Sequence, residues 1–248
     1  MRISIITATF NSAATISDTM KSVEEQDYPH IEHIVVDGQS DDDTVRIVRT
    51  YPHTATLISE KDAGIYDAMN KGIRAATGEV VGILNSDDIY TDRHVISRVA
   101  KVFQDSEIQA CYGDLEYVDA NNTERVTRKW KAGLYKPGSF YWGWMPPHPT
   151  FFVRRKVYEK LGLFETSLRS AADYEMMLRI LEKNKMKVAY IPKFLVKMRR
   201  GGMSNASFKN RIRANREDRQ AWHINGLKPY IFTLYLKPLR KITQFINI

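Results

Sequence analysis

Two adjacent carboxylates, Asp87 and Asp88, closely follow the apolar run VVGIL of residues 80–84. A short run of this kind predicts a strand that is buried on both faces. Ligands of open α/β sheets bind where such strands end, and two acids there repel each other unless a cation lies between them. Because Mg²⁺ and Mn²⁺ prefer oxygen ligands, the pair predicts a metal site. The alternative is that the two acids begin a turn and cap the next helix.

Further acids follow other predicted strands of the first half. Asp37 comes after a strand at residues 33–36, and Asp62 comes after one at residues 56–59. A first strand at residues 3–7 leads into the small and polar residues 8–12, which would let a ligand approach the backbone. An acid at a strand end commonly accepts hydrogen bonds from a ribose or a base. These positions therefore predict nucleotide binding.

Helices between these strands must position the acids. The pattern predicts helices up to about residue 26, at residues 65–76 and at residues 92–104. Another would begin at residues 41–43, whose three acids would fill its first turn and suit its dipole. The alternation of strands and helices predicts a mainly parallel sheet with helices on both faces. The acids would then meet at one edge of that sheet.

The second half of the chain has a different pattern. Residues 112–117 and 125–130 flank a polar turn and predict an antiparallel hairpin, and residues 188–191 predict a further strand. The aromatic run FYWGWMPPHP of residues 140–149 would either stack on sugar rings or cover the core. His148, in the same run, would either contact a bound substrate or be structural.

Two more positions could carry function in this half. Asp173 precedes an apolar helix predicted at residues 176–181, so it could be the N-cap of that helix as well as a functional carboxylate. Arg199 and Arg200 stand beside two glycines. They predict either a mobile loop that closes on a diphosphate or a plain surface loop.

Composition narrows the class of protein. The 248 residues suit one large domain, which we place at residues 1–205, with an extension at residues 206–248. The one cysteine excludes an internal disulfide framework and a cysteine-rich zinc site. No run of 18 apolar residues is present, and the start of the chain resembles a strand more than a signal peptide. We therefore expect a cytoplasmic protein.

The net charge of +8 is concentrated at the end of the chain. Residues 197–248 contain 12 Lys or Arg and only 2 Asp or Glu. From about Pro238, an apolar stripe at helical spacing predicts a basic amphipathic helix, with Leu239, Ile242, Phe245 and Ile246 on one face. Such a helix would lie on the anionic inner leaflet of the membrane, or it would pack on the enzyme or on a second copy in a homodimer.

The segments SIITATFN, IVVDGQSDDDT, EKDAGIYDAMNKGIRAATGE and LNSDD resemble the nucleotide-sugar-dependent inverting glycosyltransferases of family 2. The resemblance covers about residues 1–200 and implies the α/β fold called GT-A. In that fold a mainly parallel Rossmann-like sheet, here residues 1–105, holds the nucleotide. A mixed antiparallel half, here residues 106–205, holds the acceptor.

The same resemblance implies roles for single residues. Asp173 falls on the catalytic base, and Ala172 replaces the acid that usually precedes it. Many members have an acid where this chain has Asn85, so Asp87 or Asp88 must hold the Mn²⁺ or Mg²⁺. The residues expected to bind the donor are Thr7, Thr9, Asn11, Asp37, Lys61, Asp62, Asn70, Asp87, Arg199 and Arg200.

The expected partners are a nucleotide-diphosphate sugar and a glycan or lipid-linked sugar acceptor in bacterial polysaccharide synthesis. The transferred group would be a hexose or an N-acetylhexosamine. A sugar nucleotidyltransferase is the alternative, but residues 8–12 lack the Gly-rich basic loop of that class. A nucleic-acid-binding protein is less compatible still, because no helix-turn-helix, RNP or zinc pattern accompanies the basic tail. We therefore expect no nucleic acid partner.

Overall fold

The computed structural model describes residues 1–201, 208–240 and 244. The strands are β1 Ile3–Thr9, β2 Ile31–Asp37, β3 Thr54–Ser59, β4 Val80–Ile83, β5 Asp88–Tyr90, β6 Ala110–Val118, β7 Val126–Trp130, β8 Phe152–Arg154 and β9 Val188–Arg199. The helices are α1 Ile16–Glu24, α2 Thr44–Val48, α3 Ile65–Ala75, α4 Val95–Val102, α5 Arg155–Leu161, α6 Ala172–Leu178, α7 Phe208–Ile224 and α8 Thr233–Leu239. Two 3₁₀ turns, Ser139–Trp142 and His148–Thr150, and a π-helical turn, Arg179–Lys183, complete the described elements.

In the described part of the chain, the strands form one sheet in the order β3-β2-β1-β4-β8-β6-β9-β5, with β7 paired to β6. The first four strands in this order pair in parallel. Beyond them, β8 runs antiparallel to both β4 and β6, whereas β9 is parallel to β6 and antiparallel to β5. The predicted division into a parallel first half and a mixed second half is confirmed, as is the hairpin of β6 and β7.

The central strand β1 is buried on both faces, which explains its continuous apolar sequence. Ile6 and Ala8 join one core cluster together with residues of α3. Ile3 and Ile5 join a second cluster, which includes residues of α4. Gly72 lets α3 approach this strand closely, because a Cβ at that position would lie 2.4 Å from a methyl carbon of Ile6. The two layers of helices thus hold the carboxyl edge of the parallel strands in place.

Two predicted segments are wrong at their ends, and part of a third is not described. The acids of residues 41–43 precede α2, which has no acid in its first turn, and Asp42 instead accepts hydrogen bonds from the backbone of Ala13 and Thr44. The strand predicted at residues 188–191 continues to Arg199, because β9 pairs with β6 and then with β5. Residues 202–205 of the predicted glycine loop lie outside the described residues.

The C-terminal helix also differs from its prediction. Instead of beginning near Pro238, α8 begins at Thr233 and contains that proline near its end. Thr233 and Leu234 are buried, so packing determines where the helix begins. Of the predicted apolar stripe only Leu239 is described, because Ile242, Phe245 and Ile246 lie outside the described residues. Among the described helices, none combines the length and the apolar character needed to cross a membrane.

Candidate active site

The carboxylate pair follows β4, at the edge predicted from the sequence: Asp87 precedes β5, and Asp88 is its first residue. Asp88 is completely buried, and its Oδ2 accepts a hydrogen bond from Nδ2 of Asn85 at 3.0 Å. Its Oδ1 is buried without a hydrogen-bond partner among the described residues. Burial, followed by the charge of Asp87, raises the pKa of Asp88 well above its usual range. Burial also raises the pKa of Asp87, against the charges of Arg199 and His148.

This pair has the chemistry of an incomplete cation site. An unpartnered carboxylate oxygen beside a second carboxylate is a costly arrangement that a hard divalent ion would relieve. Within the described ranges, no group of three or more His, Cys, Asp or Glu side chains could enclose a metal ion. A metal at Asp87 and Asp88 would therefore take further ligands from water or from a bound substrate.

Arg199 anchors the loop that carries this pair. It lies at the end of β9 and is only 8% exposed. Its Nη1 donates to the carbonyl oxygen of Asp87 at 3.0 Å, and its Nη2 donates to the carboxylate of Asp18. The prediction that Arg199 belongs to a mobile loop is wrong, because strand pairing and these bonds hold it. Arg200 is exposed, and its backbone N–H donates to the carbonyl oxygen of Val118 at 3.0 Å.

Asp173 is the second residue of α6 and is held by side chains from two distant segments. The hydroxyl of Tyr66 donates to Oδ1 of Asp173 at 2.9 Å, and Nδ1 of His148 lies 3.2 Å from Oδ2. Ala171 occupies the N-cap position of α6, so the N-cap interpretation of Asp173 is wrong. Burial and the charge of Asp173 raise the pKa of Tyr66 well above its usual range, so its hydroxyl keeps its proton.

The ends of β1 and β2 bring three predicted donor-binding residues together. Thr9 pairs in register with Asp37, and its hydroxyl oxygen is buried without a partner among the described residues. Asp37 is completely buried and accepts hydrogen bonds from Ser40 and Ser59, which shape the loop after β2. Asn11 has a φ of 48° and accepts a hydrogen bond from the backbone of the same loop.

Two other predicted donor-binding residues have internal partners. Thr7 is completely buried, and its hydroxyl lies 3.0 Å from Nε2 of His33, inside the sheet. Asn70 is 3% exposed, and its amide makes two 2.9 Å hydrogen bonds with the backbone of Phe164. Asn70 therefore ties α3 to the loop after α5. Both side chains thus have partners inside the protein, and their contact with a donor stays a prediction.

Lys61 and Asp62 follow β3 as predicted. Asp62 forms an ion pair with Lys71 of α3, with 2.6 Å between Oδ1 and Nζ. Lys71 also pairs with Glu60, and the hydrogen bonds to these two acids raise the pKa of Lys71. The side chain of Lys61 is exposed, and its carbonyl oxygen accepts a hydrogen bond from Lys71 at 2.9 Å. These contacts hold the loop after β3 against α3.

Sequence reasoning missed two residues of this region, Tyr66 and Lys71. Both lie in the run of residues 64–78, the segment in which the resemblance is most specific. The polar groups of Tyr66 and Lys71 on the helix predicted there were the available signal. Of the aromatic run, Phe140 and Trp144 are buried in the core, which supports the covering interpretation for these two rings. Trp142 remains 55% exposed.

Comparison with known sequences identifies a family. The family model described as Glycosyl transferase family 2 matches residues 4–162. An uncharacterized glycosyltransferase of Mycobacterium tuberculosis (strain CDC 1551 / Oshkosh) is 32% identical over 187 residues, which cover 71% of this chain and 68% of the relative. A PGL/p-HBAD biosynthesis glycosyltransferase of Mycobacterium bovis (strain BCG / Pasteur 1173P2) is 27% identical over 208 residues, which cover 82% of this chain and 78% of the relative.

Solved structures share the fold. S. aureus TarS 1–349 in complex with UDP-GlcNAc has a TM-score of 0.70 at 19% identity, and the match covers 100% of this chain and 72% of that one. The match spans 43% of a longer TarS chain. The mannosyltransferase PcManGT from Pyrobaculum calidifontis, in complex with GDP-Man and Mn²⁺, has a TM-score of 0.68 at 23% identity, with 95% of this chain and 68% of that one covered.

These structural matches confirm the GT-A fold, and the sequence matches extend over most of the chain. The chain therefore belongs to glycosyl transferase family 2.

Proposed function

We propose that this glycosyltransferase moves one sugar from a nucleotide-diphosphate sugar to an acceptor hydroxyl, with inversion at the anomeric carbon. The observation that carries the proposal is the position of His148. Its Nδ1 lies 3.2 Å from Oδ2 of Asp173, and a positive charge on this ring would act against the burial that raises the pKa of Asp87. We therefore place the candidate metal-binding pair and the candidate base in one site, as a transfer between two bound substrates requires.

The side chains of Asp87, Asp88 and Arg199 fit a metal-dependent transfer. Asp87 and Asp88 would hold Mn²⁺ or Mg²⁺. The ion would bind Oδ1 of Asp88, which has no hydrogen-bond partner among the described residues. A bound divalent ion supplies positive charge that stabilises the leaving diphosphate. Arg199 holds the backbone of Asp87 in place and so orients both carboxylates toward the donor.

Asp173 would act as the general base. A carboxylate has lone pairs for several hydrogen bonds, so Asp173 can accept from Tyr66 and still receive a proton from the acceptor hydroxyl. Tyr66 and His148 hold the carboxylate in one orientation. A single displacement from this side inverts the anomeric centre, and a carboxylate nucleophile such as retaining hydrolases use is not required.

The donor side is formed by the ends of β1, β2 and β3. We place the nucleotide near Thr9, Asn11, Asp37 and Asp62, and the diphosphate near Asp87. The neighbours with UDP-GlcNAc and GDP-Man support a nucleotide-sugar donor that carries a hexose or an N-acetylhexosamine. Residues 1–105 would bind this donor, residues 106–205 the acceptor, and residues 206–248 would form the extension.

We further propose a lipid-linked glycan as the acceptor and the cytoplasmic face of the membrane as the place of reaction. A relative named for PGL/p-HBAD biosynthesis supports a role in glycolipid or polysaccharide assembly. The basic extension supports a location at an anionic surface.

Donor hydrolysis tests the metal site. A panel of UDP-, GDP- and dTDP-sugars is incubated with the enzyme in EDTA and after addition of Mn²⁺ or Mg²⁺. We expect hydrolysis only with metal, and a loss of about 100-fold or more in Asp87→Asn and Asp88→Asn. Glu107→Gln, which changes an exposed acid in the loop before β6, is the matched control. Equal rates in EDTA and Mn²⁺ would refute the metal role of the pair.

Asp173→Asn tests the base. The variant keeps the size of the side chain but cannot take a proton, so transfer should fall by about 100- to 10,000-fold. Donor affinity, measured by calorimetry, should stay unchanged because the donor contacts other residues. Normal transfer by Asp173→Asn would show that another group acts as the base.

A further inference from the structure

Five large side chains of residues 230–239 are exposed, as is Trp142 of the aromatic loop, and we call these six side chains the aromatic patch. Three of their rings contact one another, with 5.4 Å between the centroids of Trp142 and Phe232 and 5.3 Å between those of Tyr230 and Phe232. Exposed groups of this kind mark interaction surfaces. The members and their exposed fractions are Trp142 at 55%, Tyr230 at 52%, Ile231 at 89%, Phe232 at 42%, Tyr235 at 64% and Leu239 at 56%.

The aromatic patch is held to the core by specific contacts. Thr233 donates a hydrogen bond to the carbonyl oxygen of Tyr141 at 2.7 Å, and the ring of Tyr141 lies 4.7 Å from that of the fully buried Trp222. A Cβ at Gly143 would lie 2.5 Å from the backbone nitrogen of Lys237, so the aromatic loop and α8 touch directly. The apolar side chains are thus exposed on an ordered surface.

Positive charge surrounds this surface. Lys228 is exposed two residues before Tyr230. Lys131, Lys237 and Arg240 line a cavity of about 110 Å³ beside Trp144, in the same aromatic loop as Trp142. Asp218 binds Nζ of Lys237 with both carboxylate oxygens at 2.8 Å, so Lys237 adds no net charge here, and the exposed cations are Lys131, Lys228 and Arg240. Glu217 and Asp218 are each 7% exposed, and their carboxylates bind Ser170 and Lys237 respectively.

We propose that the aromatic patch docks this enzyme on an anionic lipid bilayer. Aromatic rings favour the boundary between headgroups and acyl chains, where Ile231 and Leu239 could also leave water. The exposed Lys131 and Lys228 would pair with lipid phosphates.

Docking through this surface would also bring a lipid-linked acceptor toward Asp173. Trp142 lies six residues before His148, whose ring contacts Asp173. Six residues span at most about 20 Å, so a bilayer at the patch would lie within about that distance of the backbone of His148. This last point rests on the proposed function, in which the acceptor is attached to a lipid.

Charge favours a bilayer over a second copy of the chain. A two-fold symmetric interface would place the same surface on both partners. The exposed Lys131 and Lys228 of one copy would then lie in the same interface as their equivalents, so like charges would repel. An anionic membrane supplies the opposite charge instead.

Co-sedimentation with vesicles tests the proposal. The full chain is mixed with vesicles of phosphatidylcholine alone or with an equal part of phosphatidylglycerol, at low and at high salt. We expect binding to the anionic vesicles at low salt, with a loss of about ten-fold or more in the double variant Ile231→Ser, Phe232→Ser. Leu134→Ser is the matched control, because Leu134 is 74% exposed outside the patch and should bind as the wild type does.

A charge variant and a size measurement complete the test. Lys228→Gln should bind anionic vesicles less strongly and lose part of the salt dependence. The proposal is overturned if the wild-type chain does not sediment with anionic vesicles, or if the double serine variant binds as well as the wild type. A dimer in gel filtration that the double variant abolishes would assign the patch to a second copy and also overturn it. Metal-dependent donor hydrolysis without vesicles tests the proposed function separately.

Discussion

Removing the buried charge of Asp88 should stabilise the metal-free protein. The pKa of Asp88 is raised well above its usual range by burial and by Asp87. The folded state therefore prefers the protonated side chain, and ionisation opposes folding. The stability of the wild type should fall as the pH rises from the ordinary Asp pKa through the raised value in the folded state. Asp88→Asn carries no charge, so its advantage should vanish in acid and grow toward neutral pH.

The size of the effect follows from the contacts of this carboxylate. A buried polar group without a partner costs about 1–3 kcal/mol, and more when it is charged. The asparagine can keep the hydrogen bond with Asn85, but its amide remains unpartnered, so part of the cost persists. We expect a net gain of about 1–2 kcal/mol at neutral pH. For a chain of this length, that raises the melting temperature by about 2–8 °C.

Bound metal should make the wild type more stable than Asp88→Asn. At a Mn²⁺ concentration of about 100 times the dissociation constant, binding stabilises the wild type by about 2.7 kcal/mol. Asp88→Asn should gain far less, since half of the carboxylate pair is gone. Thermal unfolding in EDTA and in Mn²⁺, each at acid and neutral pH, measures both effects.

Asp114→Asn is the matched control for this experiment. Asp114 is also buried, and burial raises its pKa. Its Oδ1 already accepts from the backbone of Ala132 and from Tyr190, both at 2.8 Å, and an asparagine can keep both bonds. Asp114→Asn should leave the Mn²⁺ response unchanged. The reasoning fails if Asp88→Asn is no more stable than the wild type in EDTA at neutral pH, or if it gains as much stability from Mn²⁺.

Three smaller changes test the residues that position the site. Tyr66→Phe removes one hydrogen bond to Asp173 and should lower kcat by about ten-fold in steady-state assays, with little change in donor KM. His148→Gln should likewise lower kcat of transfer while donor affinity in calorimetry stays near the wild-type value; a loss of donor binding alone would contradict its placement beside Asp173. Asn70→Ala breaks both hydrogen bonds to Phe164 and should cost about 2–3 kcal/mol in urea unfolding, whereas weaker donor binding without loss of stability would support its predicted role.

The parallel half of the fold could be predicted because its signals are local. Each of β1, β2 and β4 is a short apolar run that is buried on both faces, and each ends close to the predicted residue. The connections through helices then allow few topologies. The acids at the strand ends follow from the same argument, because parallel strands place their carboxyl ends at one edge.

Element ends were mispredicted where distant pairing or packing sets them. β9 extends to Arg199 because β6 and β5 provide partners along its length. α8 begins at Thr233 because that residue and Leu234 pack under the aromatic loop. Neither partner is adjacent in sequence, so periodicity alone could not show these ends.

Residue type and spacing, together with the family resemblance, identified Asp87 and Asp88 as candidate metal ligands and Asp173 as the candidate base. Which polar side chains remain available depends on partners that folding brings from far along the chain. Tyr66 reaches Asp173 across 107 residues, and Arg199 reaches the carbonyl oxygen of Asp87 across 112. Asn70 has the type of a ligand-binding residue, yet the backbone of Phe164 uses both ends of its amide. Polar atoms that bond inside the protein hold the site together, and atoms with spare bonding capacity can meet a substrate, so tertiary contacts decide the role of each residue.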